Sequence, residues 1–374
     1  MKIKRIEWCR LEAKRPRTAG SNARLGVHGD TIHPPVARIT ADDGAMGFGV
    51  SSLSEEHAIG LLGANLDTAF SLQSGGTTKT YRDIDFPLWD LMARRAGKPV
   101  YALAASVSSD TALRVRCYDT SLYFDDLHIT DETEAAAFIA AEAREGFEKG
   151  HRAFKIKVGR GAIHLPLEEG TRRDIAVIRA VRDAVGPEPP LLIDANNGYN
   201  LNLTKHVLGE TADCGIYWME EAFHEDAVLY RHLKTWLQEE NLPVLIADGE
   251  GEASPSLMRW AAEGIVDVVQ YDIFGHGFTR WLQTSKALDE VGARSAPHHY
   301  GAAFGNYVTG HLASACCGFT FVEWDDAEIK GVHANGYTIN DGWLTIPNTP
   351  GFGLELDEAV FAETVQENGF SVAI

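Results

Sequence analysis

From about residue 113 onward, short β-rich runs alternate with helical patterns, and the alternation occurs eight times. The runs are "ALRVRCYD" (112–119), "RAFKIKVG" (152–159), "PLLIDAN" (190–196), "GIYWMEE" (215–221), "PVLIAD" (243–248), "VDVVQYDI" (266–273), "ARSAPHH" (293–299) and "GFTFVEW" (318–324). Between them lie amphipathic stretches. "DETEAAAFIAAEAREGFEKG" offers Asp131 as an N-cap, acids in its first turn and Gly150 as a stop. "TRRDIAVIRAVRDAVG" keeps apolar residues at helical spacing and ends at Gly186. Such alternation predicts parallel strands with crossover helices, and eight units close as a modified (β/α)8 TIM-type barrel, an α/β fold. The rival, an open doubly wound sheet, is weakened by the lack of a G-x-G-x-x-G after an early strand and of a Walker P-loop.

Residues 1–112 break the rhythm. "MKIKRIEWCRLEA" and "PPVARITADDGAMGFGVSS" predict antiparallel strands, with helical segments near 55–70 and 83–104. The expected organisation is an N-terminal α+β capping domain over 1–112, the barrel over 113–345, and a segment 346–374 returning to the cap. A chain of 374 residues suits a barrel plus an accessory domain. The stretch "KRPRTAGSNARLGVHGDTIHPP" (14–35) reads as a long loop, and loops of that length in compact domains are functional or mobile.

In such a barrel the chemistry sits at the C-terminal strand ends. Those ends carry Lys155 and Lys157, Asp194, Glu220, Asp248, Asp272, His298 and Glu323. From Asp194 onward the residues follow at intervals of 26, 28, 24, 26 and 25. Scattered surface charges have no reason to keep the period of the βα unit, so all are placed in one cleft. Three successive strands end in carboxylates. Oxygen-only ligands suit a hard divalent cation, Mg²⁺ before Mn²⁺, and the absence of Cys or His from the trio argues against zinc. A single strand-end acid is commonly just the cap of the next helix; three in succession favour a metal. At the fifth strand "ADGEGE" offers both Asp248 and Glu250, and Asp248 is preferred because it directly ends the apolar run.

In "FKIKVG" strand alternation turns Lys155 and Lys157 to the same side. A neighbouring ammonium and a divalent cation both disfavour a charged lysine, so Lys157 is expected to act as a neutral general base. Lys155 stays charged and pairs with a substrate carboxylate. Across the barrel, Asp272 is placed to orient the imidazole of His298 and raise the basicity of its other nitrogen. His299 competes for that role, but alternation turns it away. Glu323 is either a protonated donor to a developing oxyanion or a member of a buried ion pair. A metal-bound carboxylate would have an acidified α-proton, and its removal gives an enolate dianion. Reprotonation on the opposite face is racemisation or epimerisation; protonation of a departing β-hydroxyl is dehydration.

The formal net charge of −19 argues against nucleic acid and anionic membranes as partners. The five cysteines form no C-x-x-C pair and read as buried free thiols in a reducing cytoplasm. The N-terminus lacks an apolar h-region, and no uncharged apolar run approaches membrane-spanning length. The expectation is a cytoplasmic homo-oligomer acting on a small carboxylate.

The K-x-K at 155–157, the acids on the next three strands, the Asp272/His298 dyad and the strand-eight Glu323 together resemble the enolase superfamily and, within it, the mandelate racemase subgroup. The resemblance covers nearly the whole chain. It implies Lys157 as one base and His298 as the opposite acid/base, with Lys155 assisting at the carboxylate. It implies one Mg²⁺ per subunit, held by Asp194, Glu220 and either Asp248 or Glu250. Asn196 matches a position that helps the active site. The N-terminal loop becomes a specificity loop, with Arg24, His28 and His33 as candidate readers of the substrate's far end. Two departures stand out: "MEEAF" has Ala222 where the family commonly has proline, and "ADGEGE" replaces a short Gly-Glu ending, leaving the third ligand open. The leading expectation is a lyase that dehydrates a sugar acid to a 2-keto-3-deoxy acid. The alternative is a racemase or epimerase of a 2-hydroxy or amino acid through the same first step. A non-catalytic binding protein with a relic site is more remote. A barrel metallohydrolase would want His ligands that the metal-bearing strands lack.

Overall fold

Strand pairing closes the ring that the alternation predicts. The computed structural model describes residues 1–105 and 111–374. Its barrel strands are Leu113–Leu122, Phe154–Lys157, Leu191–Asp194, Ile216–Glu220, Leu245–Asp248, Val268–Val269, Arg294–Ser295 and Val322–Trp324. Each pairs in parallel with the next up to the seventh, and the eighth pairs in parallel with the first. A parallel bridge between Ser295 and Phe319 joins the seventh strand to the approach of the eighth. Each strand, or the residue next to its end, contributes one side chain to a common buried layer: Tyr118, Ala153, Leu192, Trp218, Ala247, Val268, Ala296 and Phe321. Small and large side chains mix in this layer, so that three aromatic rings fill the middle of a narrow barrel.

The helices wrap the outside. Glu132–Glu148 starts where the Asp131 carboxylate accepts the N–H groups of Thr133 and Glu134, and Gly150 follows it at a φ of 103°. Leu167–Val185 begins ahead of its clearest apolar repeat and ends at Gly186. The eighth strand is not followed directly by a crossover helix. The chain instead forms the strand Glu328–Ile329, which pairs antiparallel with Lys14 and Ala13. Among the described residues no helix is long and apolar enough to cross a membrane.

The N-terminal residues form an antiparallel sheet in the order Phe370–Ala373, Ile3–Arg10, Pro35–Ala41, Met46–Val50. Helix Asp85–Arg95 lies directly on it. A Cβ at Gly47 would come within 2.3 Å of the Leu91 backbone nitrogen, so only glycine permits that approach. The stretch 14–35 is mostly a hairpin rather than a loop: Ala13–Ala19 pairs with Gly29–Ile32. Its run of Lys and Arg side chains hides the strand from a hydrophobicity reading. The segment between these strands reaches over the barrel. There the Asn22 carbonyl meets His164 Nε2 at 2.7 Å, and the Ala23 methyl sits against Gly159 and Gly198. Of the cysteines, Cys317 is exposed and the other four are buried, all as free thiols.

A buried ionic network braces the end of the second strand. The fully buried Arg160 donates to Asp126 at 2.7 Å and to Asp174 at 2.9 Å, and also to the Lys157 carbonyl at 3.3 Å. Tyr199 adds a hydroxyl to Asp174 at 2.8 Å. Replacing Arg160 with methionine removes the nearest cation from two buried carboxylates, leaving Asp126 only Arg173 at 3.6 Å, and the expected loss is about 3–5 kcal/mol of stability. A denaturant titration measures it as a lower unfolding midpoint.

Candidate active site

Two residues up each strand from the apolar layer, side chains again face inward. That step reaches Thr120, Lys155, Asp194, Glu220, Gln270, His298 and Glu323, with Gly249 on the fifth strand; Lys157 lies one step higher. Register puts Lys157, Asp194 and Glu220 side by side on adjacent strands. The core layer therefore fixes the phase of the polar layer above it.

That phase corrects one expectation. Asp248 falls between the inward positions 247 and 249, so it points out of the barrel rather than toward Asp194 and Glu220. Its carboxyl is bonded to the Tyr230 hydroxyl on helix Ala227–Glu239 and accepts the Gly249 N–H at 2.7 Å. Burial pushes its pKa well above the usual carboxylate range. Glu250 takes its place. Gly249 and Gly251, with φ of 124° and 63°, turn the chain so that the carboxylate between them swings over the mouth. Asp194, Glu220 and Glu250 offer carboxylate oxygens that all lie within 4.8 Å of one another. An all-oxygen, largely buried donor set of three acids fits a hard divalent cation.

The lysines sit on this trio. Lys155 Nζ is 2.8 Å from Glu220, 3.1 Å from Glu323 and 3.6 Å from Asp194; Lys157 Nζ bonds the Asp194 carboxylate. Burial pulls the Lys157 pKa down, but Asp194 outweighs it and holds the amine above its usual range. Without a cation between them, Asp194 is the counter-ion of Lys157; the neutral base expected from the sequence belongs to the metal-loaded site. Lys155 is raised further, with burial again opposed by Glu220 and Glu323. Glu220 is pushed up to about 7 by burial and then by the charge on Asp194.

On the other flank, His298 Nδ1 lies 2.5 Å from Asp272 Oδ1. Its Nε2 faces Glu250 Oε2 at 3.2 Å, out of line for a hydrogen bond. Burial disfavours the imidazolium, but Glu250, Glu323 and Asp272 prevail and raise His298 to about 10. His299 is buried facing away, its ring against Gly305. Glu323 accepts the Thr120 hydroxyl at 2.8 Å and the His299 and Tyr300 N–H groups at 2.8 and 2.9 Å. Burial opposes its ionisation, yet Lys155 and His298 hold it well below the usual range. Its 3.1 Å contact with Lys155 matches the buried ion pair of the two roles open in the sequence.

The Asn196 amide donates to Glu221 at 2.9 Å and reaches Glu250 at 3.4 Å, while its N–H bonds Asp194 Oδ1 at 2.9 Å. Its amide thus holds the acids while the side chain lines the cleft beside Glu250. Arg24 is exposed at the rim, 3.9 Å from Glu221. His28 lies against Tyr123 and Tyr300, and His33 is exposed outside the group. A cleft of about 630 Å³ runs over Glu250, Asp272 and His298 to Arg24. The sequence reading missed Glu221 and Thr120. Glu221 has a φ of 41° and takes the amides of Asn196 and Asn197 at 2.9 and 2.8 Å; the second acid of "MEE" was its signal. Thr120 is found by counting up from Tyr118.

A capped barrel with acids at its centre and amine and imidazole groups on opposite flanks defines an enzyme that moves protons beside a metal-bound carboxylate. The chain belongs to the enolase superfamily: residues 139–360 match the family described as "Enolase C-terminal domain-like". It is 49% identical to galacturonate dehydratase from Geobacillus sp., whose structure holds D-galacturonate and 5-keto-4-deoxy-D-galacturonate; the match covers 99% of this chain and 98% of that one, with a TM-score of 0.95. A mandelate racemase/muconate lactonizing protein from Geobacillus sp. Y412MC10, complexed with magnesium and tartrate, is 48% identical over 100% of this chain and 97% of its own, with a TM-score of 0.97. Arabinonate dehydratase of Saccharolobus solfataricus is 27% identical over 75% of this chain and 70% of its own length.

Proposed function

We propose that the chain is a Mg²⁺-dependent dehydratase of a sugar acid and, within that class, of a hexuronate such as D-galacturonate. The observation that carries this reading is the pairing of the Asp194–Glu220–Glu250 trio with Lys157 on one flank and the His298–Asp272 dyad on the other. The likeness over nearly the full length to the Geobacillus galacturonate dehydratase supports the substrate class. Counted from its carboxylate, a 5-keto-4-deoxy hexuronate is a 2-keto-3-deoxy acid, the product type expected from the sequence. The epimerase alternative has less support among the relatives.

Asp194, Glu220 and Glu250 would hold Mg²⁺, which when bound draws electron density from the substrate carboxylate and acidifies the neighbouring C–H. Lys155, kept charged by Glu220 and Glu323, faces that carboxylate. With Asp194 engaged in holding the ion, Lys157 would lose its counter-ion, its pKa would fall, it would release its proton to solvent, and the neutral amine would take the α-proton. His298 holds a proton at Nε2, backed by Asp272 at Nδ1, and gives it to the departing β-hydroxyl. The α-C–H and β-C–O bonds break, water leaves, and the enol tautomerises to the keto acid.

A sugar-acid panel containing D-galacturonate, scored with Mg²⁺ for keto acid and for deuterium entry at Cα, tests the reading. A panel without keto acid and without exchange overturns it. His298→Asn separates the two steps: Cα exchange persists, while keto-acid formation falls by about 100-fold or more.

A further inference from the structure

Glu250 reaches the trio from a loop without regular structure. Among the described residues, no backbone–backbone hydrogen bond involves residues 249–253. Glycines flank the carboxylate on both sides, and ordering a glycine costs more backbone entropy than ordering any other residue. A ligand on such a segment keeps its place only if other groups hold the segment.

Side chains supply the anchors. At the start of the loop the Tyr230 hydroxyl bonds Asp248, whose other oxygen accepts the Gly249 N–H at 2.7 Å. In the middle, Asp272 Oδ2 accepts the Gly251 N–H at 3.0 Å, while its Oδ1 meets His298 Nδ1. At the far end, Glu225 Oε2 accepts the Ser254 N–H. Ser254 then opens the turn into helix Leu257–Ala262: its carbonyl accepts the Leu257 N–H at 3.0 Å, and its Oγ accepts the Ser256 N–H at 3.2 Å. Tyr230 and Glu225 belong to the same place in the fold. Glu225 immediately precedes Asp226, the N-cap of helix Ala227–Glu239, and Tyr230 lies in the first turn of that helix. The entrance of one helix therefore grips the Glu250 loop at both ends, and Asp272 ties its middle to the imidazole across the mouth.

We propose that Glu225 is a positioning residue for the metal ligand Glu250, acting through Ser254, and that Asp272 is a second anchor of the same loop in addition to orienting His298. The proposal rests on the metal trio of the reading above and adds what holds its third member. The departure "ADGEGE" then has a physical counterpart. The acid lies past the end of its strand, where no ladder fixes it, and side chains of neighbouring elements replace the ladder.

Hydrogen–deuterium exchange of the metal-free chain reads the anchors directly. Glu225→Ala should speed exchange over residues 249–256 by about tenfold, the worth of one hydrogen bond, and leave the barrel strands unchanged. Asp272→Ala should do the same around Gly251. Mn²⁺ binding, followed by electron paramagnetic resonance, reads the consequence. Glu225→Ala should weaken it by about 10- to 100-fold, whereas Glu225→Gln, which keeps an acceptor oxygen for Ser254, should stay close to the wild type. In a Glu250→Gln background Glu225→Ala should cost nothing further, because the residue it positions is no longer a ligand. Unchanged exchange or undiminished Mn²⁺ affinity in Glu225→Ala overturns the proposal. So does an equal loss of affinity in Glu225→Ala and Glu225→Gln, which would assign the effect to charge. A wild-type chain that binds Mn²⁺ but forms no keto acid counts against the dehydratase reading alone, and the same two readouts still decide the anchors.

Discussion

Lys157→Ala should lower keto-acid formation by about 100- to 10,000-fold, the range that a positioned general base contributes. Cα deuterium exchange should fall with it, because both depend on taking the same proton. Lost folding does not explain such a result if metal binding survives, and here the geometry makes a signed prediction. The Lys157 ammonium bonds Asp194, one of the three acids proposed to ligate. Removing it frees Asp194, so Mg²⁺ should bind at least as tightly as to the wild type. A calorimetric titration beside the rate measurement checks both halves. A variant that loses rate and metal together would show that Lys157 supports the site rather than serving as its base. The double signature also separates Lys157 from Lys155, whose removal would leave Glu220 and Glu323 buried without their cation.

Glu250→Gln and Asp248→Asn should part company at the metal. Chelation of Mg²⁺ should abolish activity in the wild type, and re-addition restore it. Groups that merely orient ligands are worth about 10- to 100-fold in metal affinity, so loss of a ligand should cost about 100-fold or more. That cost is expected for Glu250→Gln, read as weaker Mn²⁺ binding by electron paramagnetic resonance. Asp248→Asn should stay within about tenfold of the wild type, because its carboxyl faces Tyr230 rather than the trio. The reverse order of the two variants would reject the assignment of Glu250.

The βα rhythm made the barrel legible, since eight runs with matching helical patterns leave few ways to pair. The strand-end residues were legible for the same reason. What the sequence hid was phase. "LIADGEGE" ends an apolar run at Asp248, and proximity to that run suggested the carboxylate that the structure turns to Tyr230. Alternation counted from Ala247, which lies in the same layer as Trp218 and Leu192, turns Asp248 outward. Two glycines then carry Glu250 over the mouth by a route that periodicity does not describe. Charge states were hidden as well. Glu323 and Lys157 each take their ionisation from partners on other strands, and one strand read alone shows neither partner. The hairpin over 14–35 escaped because its first strand carries the cationic side chains of a solvated loop and its second is only four residues long.

Ile3–Arg10 has Phe370–Ala373 as one neighbour, with Arg5 opposite Ala373. A growing polypeptide leaves the ribosome with that flank open until Phe370–Ala373 has been made, exposing a row of unsatisfied amides to any other nascent chain. The barrel can assemble first, since its strands are consecutive. The capping sheet gains its last strand only after all eight barrel strands have been made.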